Sequence, residues 1–393
     1  MKMRRLLALI VALAAAFPVP AAAGAPPAVV VDTDMDFDDV AALAYLTEAD
    51  GLGMIDLRAV TVAGDGVAFP GAGLGHARCL LTKLGMGHVP TSDGTAVLRN
   101  NFPESVRGWL DAVVDRAVRP ASNVPCVDPP IEERAPALIV ATIRAAERPV
   151  TVITLGPLTN LAQALEQDPD VADGIERVMV MGGDTTGLPP GHPAEPGDYN
   201  LWVNAPAAHA VIGALRERVW MTGRSATDHV PLSAAFRLRL AADRTTVAAE
   251  VVYTIASDEL IMTGEQGSAA WWDPLTAVAA TVGGVVRFAL TPIRVLQTVG
   301  DEGRTVGVKQ SALPSQVYKG GVLLQSIRRW SREVCKRCAR SSFELRRLGS
   351  EKAPLAEPLA SPASSRLRAI TIDGRWCRIG AAGWWIGGWH RRR

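Results

Sequence analysis

Five aspartates crowd into eight positions near the start of the chain, in the stretch VVVDTDMDFDDVAALAYL at residues 29–46. They lie between an apolar run and the start of a helical pattern, and they are Asp32, Asp34, Asp36, Asp38 and Asp39. Two carboxylates about 5 Å apart repel by roughly 1 kcal/mol in water and by about 3 kcal/mol at an effective dielectric constant of about 20. Several together therefore need a cation or strong hydrogen-bond donors. The stretch predicts a metal site.

The elements that must position these aspartates form a regular pattern. Between residues 27 and 308, apolar runs alternate with helical patterns, which is typical of parallel strands joined by crossover helices. The predicted strands are 28–32, 57–64, 150–156, 177–183, 218–223 and 294–299, and helices are predicted to begin near Asp38, His76, Glu133, Thr159, Ala205 and Asp273. The continuous Val and Ile runs suit strands that are buried on both faces. We therefore predict an α/β fold with an open, mostly parallel (mixed) sheet flanked by helices.

Further oxygen-bearing side chains follow the later predicted strands. Asp65 follows the second strand, and the turn LGPLTN at residues 155–160 follows the third. The stretch GDYN at residues 197–200 lies beyond the fourth strand, and Asp273 opens a late helix. Ligands of an open parallel sheet bind beyond the carboxyl ends of its strands. We therefore expect these oxygen ligands to gather at one edge of the sheet.

Two other kinds of site begin with a similar spacing of aspartates, D-x-D-x-D in an EF-hand loop and D-x-D in a dehalogenase-type phosphatase. An EF-hand loop needs Gly at its sixth position and Glu at its twelfth. This chain has Phe37 and Leu43 there, which excludes an EF-hand. A metal-dependent phosphatase of the dehalogenase type also begins with strand-D-x-D, but its pattern continues with Thr or Val where this chain has Asp36. The phosphatase is disfavoured and stays an alternative.

The aspartate stretch resembles the signature of the nucleoside hydrolase family, which reads D-T-D-x-x-x-D-D after the first strand. Further matches follow in order over residues 29–308, namely VTVAGD, ITLGPLTNLA, VMVMGGD, GDYNLWVN, WWDPLTAVA and TVGDEGRTVGV. The resemblance implies the Rossmann-like nucleoside hydrolase fold and an N-ribohydrolase enzyme. It implies hydrolysis of the N-glycosidic bond of purine ribonucleosides to free base and ribose by a calcium-bound water. The expected partner is a small-molecule nucleoside and not a nucleic acid.

The resemblance also implies a Ca²⁺ cofactor and its ligands. These are Asp34, both carboxylate oxygens of Asp39, the backbone carbonyl of Leu155, and Asp273. Ligation by oxygen alone is what Ca²⁺ prefers. In the implied mechanism Asp34 also accepts the proton of the attacking water. An alternative for Asp273 is a helix N-cap, with Pro274 at the first helical position.

Three residues match family positions that bind the ribose hydroxyls, namely Asp38, Asp198 and Asn200. Relatives show Glu-Phe-Asn where this chain has Asp198-Tyr199-Asn200, so the acid is one methylene shorter. Glu195 is an alternative sugar-binding acid, and Asn200 could instead cap a turn. Because this sugar-binding stretch differs from that of relatives, a second function stays open, namely a calcium-dependent nucleoside-binding protein without turnover.

The position before the last metal-binding Asp predicts how the base leaves. Many relatives have His there as proton donor, whereas this chain has Trp272. An indole cannot donate a proton near neutral pH, but it can stack on a purine and favour its protonated form. With Asp65 after the second strand, this resembles the purine-preferring branch, so we predict that Trp272 and Asp65 act with Asp34 in catalysis. Trp271 is predicted to be a core aromatic.

The two ends of the chain differ from its middle. Residues 1–23 combine basic residues, a short apolar run and a small-residue triplet, which is typical of a secretory signal peptide. We therefore predict a secreted or periplasmic protein that is not membrane-bound after cleavage. Residues 24–308 would form the hydrolase domain. Residues 309–393 carry 18 Lys and Arg against 5 Asp and Glu, a net charge of +13 in a chain of net charge +1, so the first 308 residues carry −12.

The C-terminal extension, residues 309–393, also holds five of the ten tryptophans. A basic, Trp-bearing tail suits an arm for nucleic acid or an anionic surface. We favour instead an extension that is poorly ordered or aberrant. The five cysteines of the chain are sparse and odd in number, so they predict no disulfide framework. The sequence leaves open the preferred nucleoside, the tolerance of a 2′-deoxy sugar, and whether the chain forms a homo-oligomer.

Overall fold

A computed structural model describes residues 25–97, 99–119, 134–183, 198–263 and 269–307, together with the backbone of four further strands at 316–322, 369–372, 375–380 and 383–388. The chain divides into two compact units, Met1–Leu323 and Leu324–Arg393. No helix in the described part of the chain is long and apolar enough to span a membrane. The predicted signal peptide, residues 1–23, lies outside the described residues.

The described residues of the first unit contain nine strands. They are β1 (Ala28–Thr33), β2 (Asp56–Val62), β3 (Thr91–Asp93), β4 (Val150–Thr154), β5 (Ile175–Met181), β6 (Val219–Thr222), β7 (Val286–Val295), β8 (Thr305–Gly307) and β9 (Gln316–Val322). They form one sheet in the order β3-β2-β1-β4-β5-β6-β9-β7-β8. The strands from β3 to β6 pair in parallel, and β7 pairs antiparallel with both β8 and β9. The predicted open, mostly parallel α/β fold is confirmed.

Helices lie between most successive strands of this sheet. They are α1 (Phe37–Gly51), α2 (Ala72–Lys83), α3 (Glu104–Val118), α4 (Ala135–Ala145), α5 (Thr159–Gln167), α6 (Tyr199–Val203), α7 (Ala205–Leu215), α8 (Arg224–Thr227), α9 (Ala234–Ala242), α10 (Val247–Ala256), α11 (Glu259–Thr263) and α12 (Trp272–Thr281). Short 3₁₀ helices precede β5 and β6, at Pro169–Gly174 and Arg216–Arg218. The second unit contains a three-stranded antiparallel sheet of β10 (Ala369–Ile372), β11 (Arg375–Gly380) and β12 (Gly383–Gly388).

The apolar core lies on both faces of the sheet, because the central strands are buried on both faces. In β1, Val29 and Val31 pack on one face in a cluster that includes Leu43 of α1. Val30 points to the opposite face and packs in a second cluster with Leu161 of α5. Successive side chains of a strand alternate between faces, so a strand covered by helices on both sides must be apolar throughout. This is why β1 appears in the sequence as a continuous Val run.

Most predicted strands agree with the structure, and one does not. The predictions between residues 28 and 223 are confirmed with ends that shift by one or two residues. The strand predicted at 294–299 is wrong, because β7 ends at Val295 and the chain turns before Gly300, whose φ is 89°. A positive φ favours glycine and ends the extended run. Pro292 lies inside β7 and, as a residue that usually interrupts strands, concealed the true strand from the pattern.

The strand β9 bears on the predicted end of the hydrolase domain. It lies beyond Val308 in sequence, yet it pairs in parallel with β6 and antiparallel with β7 in the main sheet. A domain that ends at residue 308 stays a prediction, and a chain cut there would lack this strand. The strands β10, β11 and β12 fall within the predicted extension, residues 309–393.

Asn160 ties the start of α5 to the two strands that carry the aspartates. The fully buried amide donates from Nδ2 to Asp32 Oδ1 at 2.8 Å and to the carbonyl of Val62 at 3.1 Å. Thr61 of β2 donates to the same Asp32 oxygen at 2.6 Å. Because these groups are withheld from water, a lost hydrogen bond would not be replaced by a bond to solvent.

We predict that Asn160→Ala lowers the free energy of unfolding by about 1–3 kcal/mol, because Asp32 Oδ1 and the Val62 carbonyl each lose one of two buried donors and keep only Thr61 and the Gly94 N–H. Urea denaturation followed by circular dichroism measures this change. The control is Gln167→Ala at the exposed end of the same helix. Its effect should stay within about 0.5 kcal/mol. Equal effects of the two substitutions would contradict the structural role of Asn160.

Candidate functional site

The candidate site lies where the strand order of the sheet reverses. The chain builds β1, β2 and β3 outward in one direction and β4, β5 and β6 outward in the other, so β1 and β4 are neighbours at the switch point. Ligands of open α/β sheets bind in the crevice at the carboxyl ends of such strands. Asp34 follows β1 directly, and Leu155 follows β4 directly. The predicted ligands of two separate segments therefore meet at this edge.

Backbone N–H groups at the start of α1 donate hydrogen bonds to two of the five aspartates. Asp36 is the N-cap residue, and its Oδ1 accepts the Phe37 N–H at 2.6 Å. In return Asp39 Oδ2 accepts the Asp36 N–H at 3.1 Å, which completes a capping box. Asp39 Oδ1 accepts the Asp34 N–H at 3.2 Å and the Thr33 hydroxyl. Carboxylates in the first turn of a helix are also stabilised by its N-terminal dipole.

Asp34 is held between two glycines and a backbone donor. Its Oδ2 accepts the Val67 N–H at 2.9 Å. A Cβ added to Gly66 would lie 2.1 Å from Asp34 Cβ, and one added to Gly156 would lie 2.7 Å from it. No real Cβ tolerates such distances, so both positions require glycine. The Asp34 carboxyl is buried at 2% exposure.

Three carboxylates form a group that could hold a metal ion. Asp38, Asp39 and Asp273 each offer one oxygen within 4.8 Å of the others, and all three side chains are buried. The Asp273 N–H donates to Asp38 Oδ2 at 3.1 Å, which links the start of α12 to α1. Asp38 was predicted to bind sugar, so its place beside two predicted ligands was not expected. Asp34 adjoins the group through its hydrogen bond to Asp39.

The alternative role of Asp273 as a helix N-cap is wrong. The N-cap residue of α12 is Trp271, and the helix begins at Trp272. Asp273 and Pro274 therefore lie inside the first turn, where Pro is still tolerated because the first N–H groups of a helix have no internal partner. The carboxylate of Asp273 is directed at Asp38 and Asp39.

Burial raises the pKa values of these carboxyls. The pKa values of Asp34, Asp38 and Asp273 lie well above their usual range. Burial is the larger cause, and repulsion by the neighbouring carboxylates is the second. Burial also raises the pKa of Asp32 to about 7, and withdrawal from water together with the Asp39 charge raises the pKa of Asp36 to about 7. Charged forms of buried like-charged groups are disfavoured unless a cation offsets them. The ligand atoms offered here are all oxygens, and the ionised carboxylates carry like charges close together. Both properties fit a hard divalent cation.

The predicted sugar-binding residues lie beside the Leu155 carbonyl. Asn200 donates from Nδ2 to Leu155 O at 2.6 Å and to Met181 O at 3.2 Å. Asp198 is the N-cap of α6 and accepts the Asn200 N–H at 3.1 Å, so Asp198 rather than Asn200 caps this turn. Burial raises the pKa of Asp198 to about 6. The alternative acid, Glu195, lies outside the described residues.

The predicted base-side residues lie in two different segments, Trp272 at the start of α12 and Asp65 after β2. Trp272 is half-buried, packs edge-on against Phe37 with ring centroids 6.1 Å apart, and donates from Nε1 to Asp228 Oδ1 at 2.7 Å. Asp65 is fully buried, and its Oδ2 accepts the Thr159 hydroxyl at 2.6 Å. Burial raises the pKa of Asp65. Trp271 is 4% exposed and packs in the core, as predicted.

Several residues that were not predicted from the sequence orient the predicted ones. Thr33 donates to Asp39, Thr159 donates to Asp65, and Asn204 Nδ2 donates to Thr159 Oγ1 at 3.0 Å. Thr33 and Thr159 lie inside the quoted motifs, so their hydroxyls were the available signal. Asn204 ends the quoted motif GDYNLWVN, but no local pattern indicates its partner, because the contact joins the start of α7 to α5 over a long sequence separation.

We predict that this carboxylate group binds a divalent cation, tested with Ca²⁺ as the probe, with an affinity that depends on pH. Because the pKa values of Asp34, Asp38 and Asp273 are raised, protons occupy these carboxyls at mildly acidic pH and must be displaced by a cation. Affinity measured by calorimetry should rise by about tenfold or more between about pH 5.5 and about pH 8. Asp39→Ala should abolish binding, whereas the exposed Asp170→Asn should leave it unchanged. An affinity that is constant across this range would contradict the assignment.

Known proteins share both the sequence pattern and the fold. Residues 29–340 match the family model described as inosine-uridine preferring nucleoside hydrolase. The chain is 27% identical over 161 residues to a probable uridine nucleosidase 2 from Oryza sativa subsp. japonica, covering 39% of this chain and 44% of that protein. It is 32% identical over 189 residues to a pyrimidine-specific ribonucleoside hydrolase RihA from Shewanella oneidensis, covering 47% and 54%. The chain thus spans about half the length of the curated relatives it matches.

A solved structure supports the fold independently. The purine-preferring ribonucleoside hydrolase from Gardnerella vaginalis superposes with a TM-score of 0.61 at 20% sequence identity, covering 77% of this chain and 96% of that one. At this identity the likeness concerns the fold alone. The family match extends over most of the chain and includes every predicted site residue. The chain therefore belongs to the inosine-uridine preferring nucleoside hydrolase family.

Proposed function

We propose that this protein hydrolyses the N-glycosidic bond of ribonucleosides to free base and ribose. The observation that carries the proposal is the buried carboxylate group Asp38, Asp39 and Asp273 beside Asp34 at the switch point of the sheet. The nucleoside hydrolase family to which the chain belongs supplies the reaction class. Burial of this much like charge is unfavourable without a compensating cation, which supports a binding site here.

We propose Ca²⁺ as the cation, held by Asp34, Asp39, Asp273 and the carbonyl of Leu155. The donors are all oxygens, and carboxylates with a backbone carbonyl suit Ca²⁺ better than softer metals. The Leu155 carbonyl already accepts from Asn200, and its second lone pair stays available. When bound, the cation would lower the pKa of a water and orient the ribose hydroxyls.

Different residues of the chain would accept the proton of the water and hold the sugar. Asp34 accepts a proton from the attacking water while the water oxygen bonds to the anomeric carbon and the C–N bond breaks. Asp38, Asp198 and Asn200 would hold the sugar hydroxyls while positive charge develops on the ribose ring, as in other glycoside hydrolysis. The departing base retains the bonding electrons and takes up a proton from solvent water. No covalent intermediate with the protein is involved.

A purine preference is proposed from the base-side residues. Trp272 offers an indole face, which stabilises a protonated purine by stacking and cation–π attraction. Asp65 has a buried Oδ1 without a hydrogen-bond partner among the described residues, so it is available to a donor of the base. The Gardnerella vaginalis hydrolase is named as purine-preferring, whereas the two curated relatives are named for uridine or pyrimidine substrates. We favour a purine substrate because of the Trp272 indole and the unpartnered Asp65 Oδ1.

Two alternatives predict different outcomes in one assay. A nucleoside-binding protein without turnover would bind inosine in the presence of Ca²⁺ and release no base. A dehalogenase-type phosphatase would release phosphate from a generic ester with Mg²⁺, and the family match gives it no support. The discriminating experiment measures base release from purine and pyrimidine nucleosides with and without a chelator. Chelator-sensitive base release supports the proposal, and its absence with every nucleoside overturns it.

We also propose that the protein is exported. The predicted signal peptide, residues 1–23, motivates this proposal. Cys79 of α2 is disulfide-bonded, which suits an oxidising compartment although no disulfide framework was predicted. N-terminal sequencing of the protein recovered from outside the cytoplasm tests it, and a mature chain that still begins at Met1 would contradict cleavage.

We predict that Asp34→Asn leaves a folded protein whose base release is slower by about 10³-fold or more, because the variant loses a charged ligand and the proton acceptor. Steady-state kinetics with inosine measures the change, and circular dichroism verifies the fold. The exposed Asp170→Asn serves as a matched control and should keep full activity. An Asp34→Asn variant that retains more than about a tenth of the activity would rule out this mechanism.

We predict that Trp272→Ala slows purine nucleoside hydrolysis by about 10²-fold, about 3 kcal/mol of transition-state stabilisation. Hydrolysis of p-nitrophenyl riboside should fall far less, because its leaving group needs no proton. Asp65→Ala should follow the same selective pattern. Trp220→Ala, which removes a half-buried indole that packs on Phe288, is the packing control. Equal losses on both substrates, or a wild-type preference for uridine over inosine, would overturn the purine assignment.

A further inference from the structure

The loop Asp65–Ala68 holds Asp34 through two backbone donors. This loop follows β2 and is buried throughout. The Val67 N–H donates to Asp34 Oδ2 at 2.9 Å, and the Ala68 N–H donates to the Asp34 carbonyl at 3.1 Å. The orientation of the proposed proton acceptor therefore depends on the position of this loop, which also begins with Asp65.

Asn101 holds the first half of this loop. Its Nδ2 donates to the carbonyls of Asp65 and Gly66, each at 3.0 Å. The Gly66 carbonyl and the Val67 N–H belong to the same peptide group. Hydrogen bonds along one chain polarise each other, so the bond from Asn101 strengthens the donor that faces Asp34.

Arg107 of α3 holds the second half of the loop. Its Nε donates to the Val67 carbonyl at 2.9 Å, and its Nη2 donates to the Ala68 carbonyl at 2.7 Å. The side chain is 9% exposed, and its Cζ lies 4.6 Å from the centre of the Phe69 ring. The Val67 carbonyl shares a peptide group with the Ala68 N–H, which donates to Asp34. This buried cation therefore acts on the loop rather than on solvent.

Asn101 also reaches the proposed sugar side. Its Oδ1 accepts the Tyr199 hydroxyl at 2.7 Å and the Phe102 N–H at 2.8 Å. The Phe102 ring stacks on Tyr199 with centroids 4.2 Å apart and an interplanar angle of 15°. Tyr199 lies between Asp198 and Asn200 in the sequence. One amide side chain thus joins the loop that holds Asp34 to the helix that carries the proposed ribose ligands.

We propose that Asn101, together with Arg107, is a positioning residue that fixes Asp34 for the reaction through the loop Asp65–Ala68. The inference rests on the proposed function for its catalytic consequence only. Neither side chain needs to touch substrate or metal, and we name the pair the loop clamp. Partners of metal ligands and catalytic groups matter because a displacement of about 1 Å in the reacting groups can cost about 10²-fold in rate.

The test compares Asn101→Ala with Asn100→Ala in the full chain. Asn100 is the matched control, since it is the neighbouring half-buried Asn and its Nδ2 donates to Trp202 O at 2.9 Å instead of to the loop. We expect Asn101→Ala to lower kcat by about tenfold or more while KM changes by less than about threefold. Asn100→Ala should leave both constants near those of the wild type.

Two further readouts do not depend on turnover. Calorimetry should show a Ca²⁺ affinity weaker by about tenfold for Asn101→Ala, because Asp34 is a proposed ligand, and an unchanged affinity for Asn100→Ala. Hydrogen exchange should show loss of protection at the Val67 and Ala68 amides in Asn101→Ala alone. A purely structural role would instead lower the thermal midpoint of both variants and leave these amides protected at low temperature.

Arg107→Lys provides a second variant that keeps the buried charge. Lysine cannot form the two-pronged contact with the Val67 and Ala68 carbonyls, so kcat should fall in the same direction. The effects of Asn101→Ala and Arg107→Lys should not add in the double variant, because both release the same loop. If Asn101→Ala fails to fold, exchange protection and kcat of Arg107→Lys decide the matter.

The outcomes separate this proposal from the proposed function. An active wild type whose Asn101→Ala variant keeps kcat, Ca²⁺ affinity and protection at Val67 overturns the loop clamp. Equal losses in Asn100→Ala and Asn101→Ala overturn it as well. A wild type that releases no base overturns the proposed function, and the exchange data then still decide whether Asn101 holds the loop.

Discussion

Repulsion among the buried carboxylates at the end of β1 constrains the structure around it. Each of these groups would be more stable in water, so the fold must supply donors that replace hydration. The donors come from separate parts of the chain, namely the start of α1, the Val67 amide after β2, and the Asp273 amide at the start of α12. Because these segments are remote in sequence, the site forms only when the central sheet has assembled.

The capping box at α1 shows how one carboxylate serves two purposes. Asp39 accepts the backbone N–H of Asp36, which stabilises the helix start, and it also belongs to the group with Asp38 and Asp273. The geometry of the helix terminus therefore directs the carboxylate toward the site. Formation of the helix start and binding of a cation at the proposed site would therefore be linked, and either one would favour the other.

The sequence predicted those parts of the fold and site whose signal lies within a few consecutive residues. The Val run of β1, the aspartates after it, and Asp65 after β2 could all be located from strand patterns, because parallel strands end at one edge. The roles of Trp272 and Asp198 came from the family resemblance, since no local pattern assigns them. Asn101 could not be found, because a single Asn in a loop has no periodicity and its contacts to Tyr199 and Asp65 join distant segments.

The carbonyl of Leu155 has an evolutionary consequence. It accepts a hydrogen bond from Asn200 through an atom that every amino acid possesses, while the Leu155 side chain is buried at 1% exposure. Substitution at this position can thus change packing without deleting the oxygen. An insertion or deletion within β4 would move a different carbonyl to the crevice and change its direction. The position of this carbonyl depends on the length and register of β4 and not on the residue type at position 155. The oxygen can therefore be retained in diverging sequences in which the residue itself has changed.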